Sequence, residues 1–262
     1  MKIDLKRKNA VVCGSTQGIG KAVAIELAKS GAIITLVARN EKSLKQVLSE
    51  LNTDNNQTHQ YICVDFAYPE KLKSKIEEYI KDNPSVHILV NNTGGPPPGL
   101  IFDTEPEAFE EGFRKHIICN QILVQALIPG MKVEKYGRII NIISTSVKQP
   151  IPGLGVSNTI RGAVASWSKT LAGELAPFGI TVNNILPGYT QTDRLYSLME
   201  TKASRTGKSV QEVENDMKAG SPTGRFADPE EIAYSVVFLA SPLSAYITGV
   251  SLPVDGGRIS SL

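Results

Sequence analysis

Three glycines, Gly14, Gly18 and Gly20, close the apolar run Ala10-Val11-Val12-Cys13 and lead into an amphipathic segment at Lys21. Their type and spacing suit one kind of chemistry, the holding of a pyrophosphate. Gly14 lets the chain leave a strand at backbone angles that a side chain forbids. Gly18 lets the backbone approach a ligand, and Gly20 lets a helix press against the strand. That helix aims its free N–H groups and the positive end of its dipole at the turn, where Ser15, Gln17 and Ile19 complete the cradle. The spacing is G-x-x-x-G-x-G, not the G-x-G-x-x-G of the common dinucleotide fingerprint. Taken alone it also suits a glycine turn in an ordinary α/β protein.

The rest of the chain must supply the elements that position such a turn. Apolar runs suited to strands fall at Ala10–Cys13, Ile33–Ala38, His59–Val64, Ile88–Val90, Arg138–Ile143, Thr181–Ile185 and Val250–Val254. Helix-period segments fall between them, at Gly20–Lys29, Glu41–Leu51, Pro69–Lys81, Glu107–Lys132, Asn158–Ala176 and Pro229–Ala240. This alternation predicts an α/β fold: a doubly wound, Rossmann-type sheet of about seven parallel strands with helices on both faces. No composition shift marks a linker, so residues 1–262 are read as a single dinucleotide-binding domain. Two segments break the alternation. Gly94–Gly99, with its three prolines, predicts a stiff loop. Residues 189–227 are long and polar, with one short helical pattern near Val210–Lys218. A long excursion after a strand's carboxyl end is where a substrate lid would sit.

A net charge of +2 on 262 residues argues against a dedicated nucleic-acid binder, which would carry a strong basic stripe. No apolar stretch has the length of a membrane span or a signal-peptide core. Cys13, Cys63 and Cys119 fit no metal-ligand spacing, so no metal is expected. Cys13 and Cys63 lie in apolar strand runs and are expected to be core thiols. Free thiols point to a reducing, cytoplasmic compartment.

Several stretches agree on a family. They are the glycine turn, Asn91-Asn92-Thr93-Gly94, Arg138–Ser144, Glu174–Asn183 leading to Pro187-Gly188, and Asp255-Gly256-Gly257. Together they resemble the short-chain dehydrogenase/reductases, most closely the 3-oxoacyl-carrier-protein-reductase-like branch, over about residues 5 to 258. The resemblance implies a nicotinamide dinucleotide on the glycine turn. NAD-preferring members carry an acid at the end of the second strand; here the place reads Val37-Ala38-Arg39-Asn40. A guanidinium matches a 2′-phosphate, so NADP(H) is expected. The resemblance further places Asp65, with Phe66 beside it, at the adenine. It puts Asn91 and Gly94 beside the adenine and ribose, and Pro187, Gly188, Thr190 and Thr192 along the nicotinamide.

The expected chemistry is hydride transfer to or from a carbonyl or alcohol carbon. In the family a tyrosine moves the proton, a lysine one turn later assists it, a serine steadies the substrate oxygen, and an asparagine completes a relay. Ser144 matches the serine. The tyrosine position holds Ser157 and the lysine position Arg161, in a register held by Gly162-Ala163-Val164. The asparagine position holds His116. A serine hydroxyl is a far weaker acid than a phenol, and arginine does not release a proton in a protein. Losing a general acid costs about 10² to 10⁴ in rate. His116 is one replacement donor, since its ordinary pKa lies near neutrality. Tyr189, just after Pro187-Gly188, is another. Arg161 would anchor the ribose.

Two readings follow. One is an NADP(H)-dependent reductase or dehydrogenase with an altered catalytic set, acting on a small carbonyl or alcohol, with a 3-oxoacyl thioester as the class the resemblance brings. The other is a weakened relative that binds NADP(H) for regulation or assembly. The resemblance also implies a homodimer or homotetramer through the two long helices at Glu107–Lys132 and Asn158–Ala176.

Overall fold

The structure is a computed structural model and describes residues 3–261. Its strands are β1 (Asn9–Cys13), β2 (Ile33–Ala38), β3 (Gln60–Cys63), β4 (Ile88–Asn91), β5 (Gly137–Ile142), β6 (Ile180–Pro187) and β7 (Ser251–Val254). They form one parallel sheet in the order β3-β2-β1-β4-β5-β6-β7. The chain runs outward from β1 to β3, then returns to place β4 on the other side of β1. That reversal opens a crevice at the strands' carboxyl ends.

The period-2 alternation of the strands divides the core in two. Ala10 and Val12 face one layer, with Leu27 and Ala28 of α1 (Gly18–Lys29) and Ile232 and Val236 of α9 (Pro229–Ala240). Val11 and Cys13 face the other. There they meet Ile76 of α3 (Pro69–Asp82), Leu123 and Leu127 of α5 (Cys119–Glu134), and Ala172 of α6 (Gly155–Leu175). Helix α2 (Glu41–Glu50) completes the first layer through Leu44 and Val47. Both faces being covered, the strands carry near-continuous apolar runs.

Four details differ from the sequence reading. The helix expected over Glu107–Lys132 is α4 (Pro106–Phe113) and α5 joined by a π turn at Arg114–Ile118, which buries His116 and Ile117. The polar excursion is not a loop with one short helix but a pair, α7 (Asp193–Thr206) and α8 (Val210–Ala219). Thr192 caps α7 by accepting from Leu195 N, and Leu195, Met199 and Ala203 bury its inner stripe against Val213, Met217 and Phe226. That stripe is narrow among Lys, Glu and Thr, which hides it from a hydropathy pattern. Cys63 is not a core thiol: β3 is an edge strand and Cys63 is exposed, whereas Cys13 and Cys119 are buried. Finally, α6 begins at Gly155, a few residues ahead of the expected start, which places Ser157 in its first turn.

Among the described residues, no helix is long and apolar enough to cross a membrane, and no group of His, Cys, Asp and Glu could hold a metal ion.

Candidate functional site

A cleft of about 1130 Å³ lies over the carboxyl ends of the strands, at the β1/β4 reversal. The glycine turn forms its floor. Gly14 and Gly18 have φ of 57° and 50°, a region that favours glycine. A Cβ on Gly14 would lie 2.6 Å from Asn92 O, and one on Gly20 would lie 2.1 Å from Gly14 O. The turn is therefore a cradle that side chains would fill. Gln17, at the N-cap of α1, makes no side-chain capping bond. The first N–H groups of the helix stay available to an anion.

Asn92 rather than Asn91 serves this turn. Asn92 Nδ2 donates to Cys13 O at 3.3 Å and to Gly14 O at 3.2 Å. Asn91 points into the sheet: its Nδ2 donates to Asn141 Oδ1 at 2.8 Å. Asn141 continues to Asn184 at 2.9 Å, and Asn184 to Ser251 at 3.1 Å. Neighbouring residues at a strand end face opposite ways, and this alternation takes Asn91 out of the cleft. Ser15 also lies beneath the surface, fully buried with Oγ on Val37 O at 3.5 Å, and Gly20 packs behind Gly14.

At one end of the cleft stand Arg39, Asp65 and Phe66. Arg39 follows β2, is exposed, and makes no ion pair among the described residues. Asp65 Oδ1 accepts from Ala67 N at 2.9 Å, which holds the loop after β3.

At the other end Ser144, Ser157 and Arg161 share the cleft with Gly94, Pro187, Gly188, Thr190 and Thr192. Ser144 ends the turn after β5 and accepts from Ser146 N at 3.1 Å. Ser157 and Arg161 stand one turn apart on α6, both at least nine-tenths buried. Arg161 donates to Ile142 O at 2.8 Å and Thr93 O at 3.2 Å. Burial, and after it the charge of Arg194, bring Arg161 down to about 10, so it remains a cation at neutral pH. Gly188 admits the β7 loop: a Cβ there would lie 2.6 Å from Asp255 Cα.

His116 does not line the cleft. It is 3% exposed on the π turn, and burial followed by the Arg161 charge holds its pKa well below the ordinary value. The ring is therefore neutral at physiological pH. Tyr189 does line it. Its ring packs edge-on against Phe226 at 5.9 Å, and its hydroxyl accepts from Arg258 Nη2 at 2.8 Å.

The sequence reading missed Asn92, Lys115, Arg194, Lys202, Arg205 and Arg258, all of which line the cleft. One signal was present for the α7 residues. Arg194, Leu198, Thr201, Lys202 and Arg205 recur at helical spacing, a single face that turns toward the cleft.

A glycine cradle at the reversal of a doubly wound sheet, facing a polar cluster across a cleft, defines a dinucleotide-binding α/β protein. Residues 14–258 match the family model described as enoyl-(acyl carrier protein) reductase, and the chain belongs to the short-chain dehydrogenase/reductase family. It is 34% identical to the uncharacterized oxidoreductase YvaG of Bacillus subtilis, over the whole of both chains. It is 32% identical to the 3-oxoacyl-[acyl-carrier-protein] reductase FabG of Vibrio cholerae, covering 97% of this chain and 98% of that one. Among solved structures, L-sorbose reductase from Gluconobacter frateurii, complexed with NADPH and L-sorbose, superposes with a TM-score of 0.93. The two are 32% identical over the whole of both chains.

Proposed function

We propose that this chain is an NADP(H)-dependent oxidoreductase that interconverts a carbonyl and an alcohol. The observation that carries the reading is the single cleft joining the glycine cradle and Arg39 to Ser144, Ser157 and Arg161. The cradle fits a pyrophosphate, because its glycines leave room that any side chain would take. Unpaired Arg39 fits a 2′-phosphate. The NADPH complex of the sorbose reductase supports the same cofactor. Asp65 and Phe66 would flank the adenine, and Pro187, Gly188, Thr190 and Thr192 the nicotinamide.

When bound, the nicotinamide gives or takes the hydride. Ser144 and Ser157 hydrogen-bond the reacting oxygen. Arg161 brings a fixed charge to that oxygen as it turns anionic, and to the ribose; it releases no proton itself. The proton must come from elsewhere. Tyr189 is the phenol that lines the cleft, held by Arg258, and it passes its proton to the oxygen during reduction. His116, neutral and enclosed, backs Arg161 rather than donating. The 189–227 helix pair serves as the lid. The FabG relatives make a 3-oxoacyl thioester one candidate substrate.

The test is NADPH oxidation against a carbonyl panel, with NADPH and NADH affinities measured in parallel. Turnover abolished by Ser144→Ala upholds the reading. Serine and arginine at the tyrosine and lysine positions favour a second reading, a weakened binding protein. Tight NADPH binding with no turnover on any panel member would establish that one. A homo-oligomer is part of the proposal: Tyr68, Phe113 and Ile118 are all more than 40% exposed around one apolar depression by α4 and α6. Light scattering that gives a monomer mass would remove it.

A further inference from the structure

Arg161 is enclosed by protein, yet its hydrogen bonds run only to backbone carbonyls. Carbonyl dipoles satisfy N–H groups but leave the net charge uncompensated, and a buried unpaired charge is costly. Arg194 enters from α7 with Nη2 on Pro96 O at 2.7 Å, and Arg205 reaches Pro98 O at 3.3 Å. Among the described residues, none of Arg161, Arg194, Arg205, Arg258 and Lys202 makes an ion pair. Among the described residues the cleft has one lining carboxylate, Asp65, which belongs with Arg39 at the far end.

Three groups converge on Gly95. A Cβ placed there would have Arg194 Nη2 at 3.6 Å, Arg161 Nη2 at 3.7 Å and Ser157 Oγ at 3.9 Å. Two cations of separate elements, from α6 and the lid, thus face one small space with a hydroxyl beside it. The proline run at Pro96–Pro98 keeps that loop stiff, so the space is built in advance. A single planar guanidinium, here that of Arg194, matches the oxygens of a carboxylate or phosphate in number and geometry.

We propose that the substrate of this site carries an anionic group, a carboxylate or a phosphate monoester, gripped over Gly95 by Arg194, next to the reacting oxygen that Ser157 and Arg161 serve. This rests on the reductase reading of the cleft. It adds that specificity is set from the lid, by Arg194.

Matched carbonyl pairs test it: acetoacetate against ethyl acetoacetate, and dihydroxyacetone phosphate against dihydroxyacetone, each with NADPH. In one pair the charged member is expected to lead in kcat/KM by about tenfold or more. The pair that shows it names carboxylate or phosphate. Arg194→Gln collapses that ratio toward one, and Arg194→Lys keeps part of it. A second readout needs no turnover. Acetate or inorganic phosphate titrated into NADPH-loaded protein at constant ionic strength gives binding heat that Arg194→Gln removes. Equal kcat/KM within both pairs and no anion heat overturns the proposal and leaves the reductase reading standing. Preference for the neutral acetoacetyl N-acetylcysteamine thioester over every charged member overturns it too. So does an Arg194→Gln variant whose only defect is NADPH affinity. Anion heat lost in Arg194→Gln, with no carbonyl turned over by the unchanged protein, upholds the anion site and sinks the reductase reading instead.

Discussion

Arg258 Nη2 donates to the Tyr189 hydroxyl over 2.8 Å, and the guanidinium carbon stands 4.2 Å from the centre of the same ring. The other guanidinium nitrogen, Nη1, reaches Thr145 Oγ1 at 3.3 Å. One side chain thus ties the chain's last loop to both a cleft phenol and the turn that carries Ser144.

Tyr189→Phe keeps the ring, its packing on Phe226 and on the α7–α8 cluster, and removes only the hydroxyl. If that hydroxyl moves the proton, kcat falls by about 10² to 10⁴ while Tm holds. Steady-state kinetics and a melting curve on the same preparation read both. An unchanged kcat removes Tyr189 from the mechanism.

Arg39→Ala should weaken NADPH and spare NADH, since a charge-assisted bidentate contact to a phosphate is lost. The expected rise in NADPH Kd is about 10- to 100-fold, from the strength of hydrogen bonds to charged groups. Fluorescence titration of both nucleotides gives the comparison. Equal effects on the two would mean Arg39 does not read the 2′-phosphate.

Gly20→Ala drives a Cβ to 2.1 Å from the Gly14 carbonyl oxygen, and backbone cannot yield as a side chain tip can. Overpacking of this kind costs about 1–3 kcal/mol and disturbs the cradle, so both Tm and nucleotide binding fall. Gly173, exposed on α6 with nothing within 4 Å, is the contrast. Gly173→Ala is expected to stabilise by about 0.5–1 kcal/mol, chiefly by restricting the unfolded chain.

Burial holds both His116 and His87 below their ordinary pKa. The unfolded chain then binds more protons than the folded one in the window below about pH 6.5, the unperturbed histidine value. Stability is full above that pH and falls as the pH drops through the window. Calorimetric melting from pH 7.5 to 5 should show the decline, and His116→Gln should flatten it. A variant with the same slope would show that His116 binds its proton alike in both states.

Much of the fold was legible along the chain. The glycine spacing marked the cradle, the alternation of periods marked a parallel sheet, and the register from Ser144 to Arg161 marked a serine–serine–arginine cluster. These are local matters. A strand's apolar run and a turn's need for glycine are written within about ten residues and enforced by backbone sterics. Partner choice is not local. Asn91 and Asn92 look interchangeable in the sequence, yet strand alternation sends one into the ladder with Asn141 and the other to the glycine turn. His116 looked like a donor until the π turn enclosed it.

The sequence by itself therefore determined the architecture and the glycine turn at the sheet's reversal. The tertiary structure alone decided which charges share the cleft. Arg194 meets Pro96 across 98 positions of chain, and Arg258 meets Tyr189 across 69. Such pairings arise from the packing of whole elements, and no short window of sequence contains both partners.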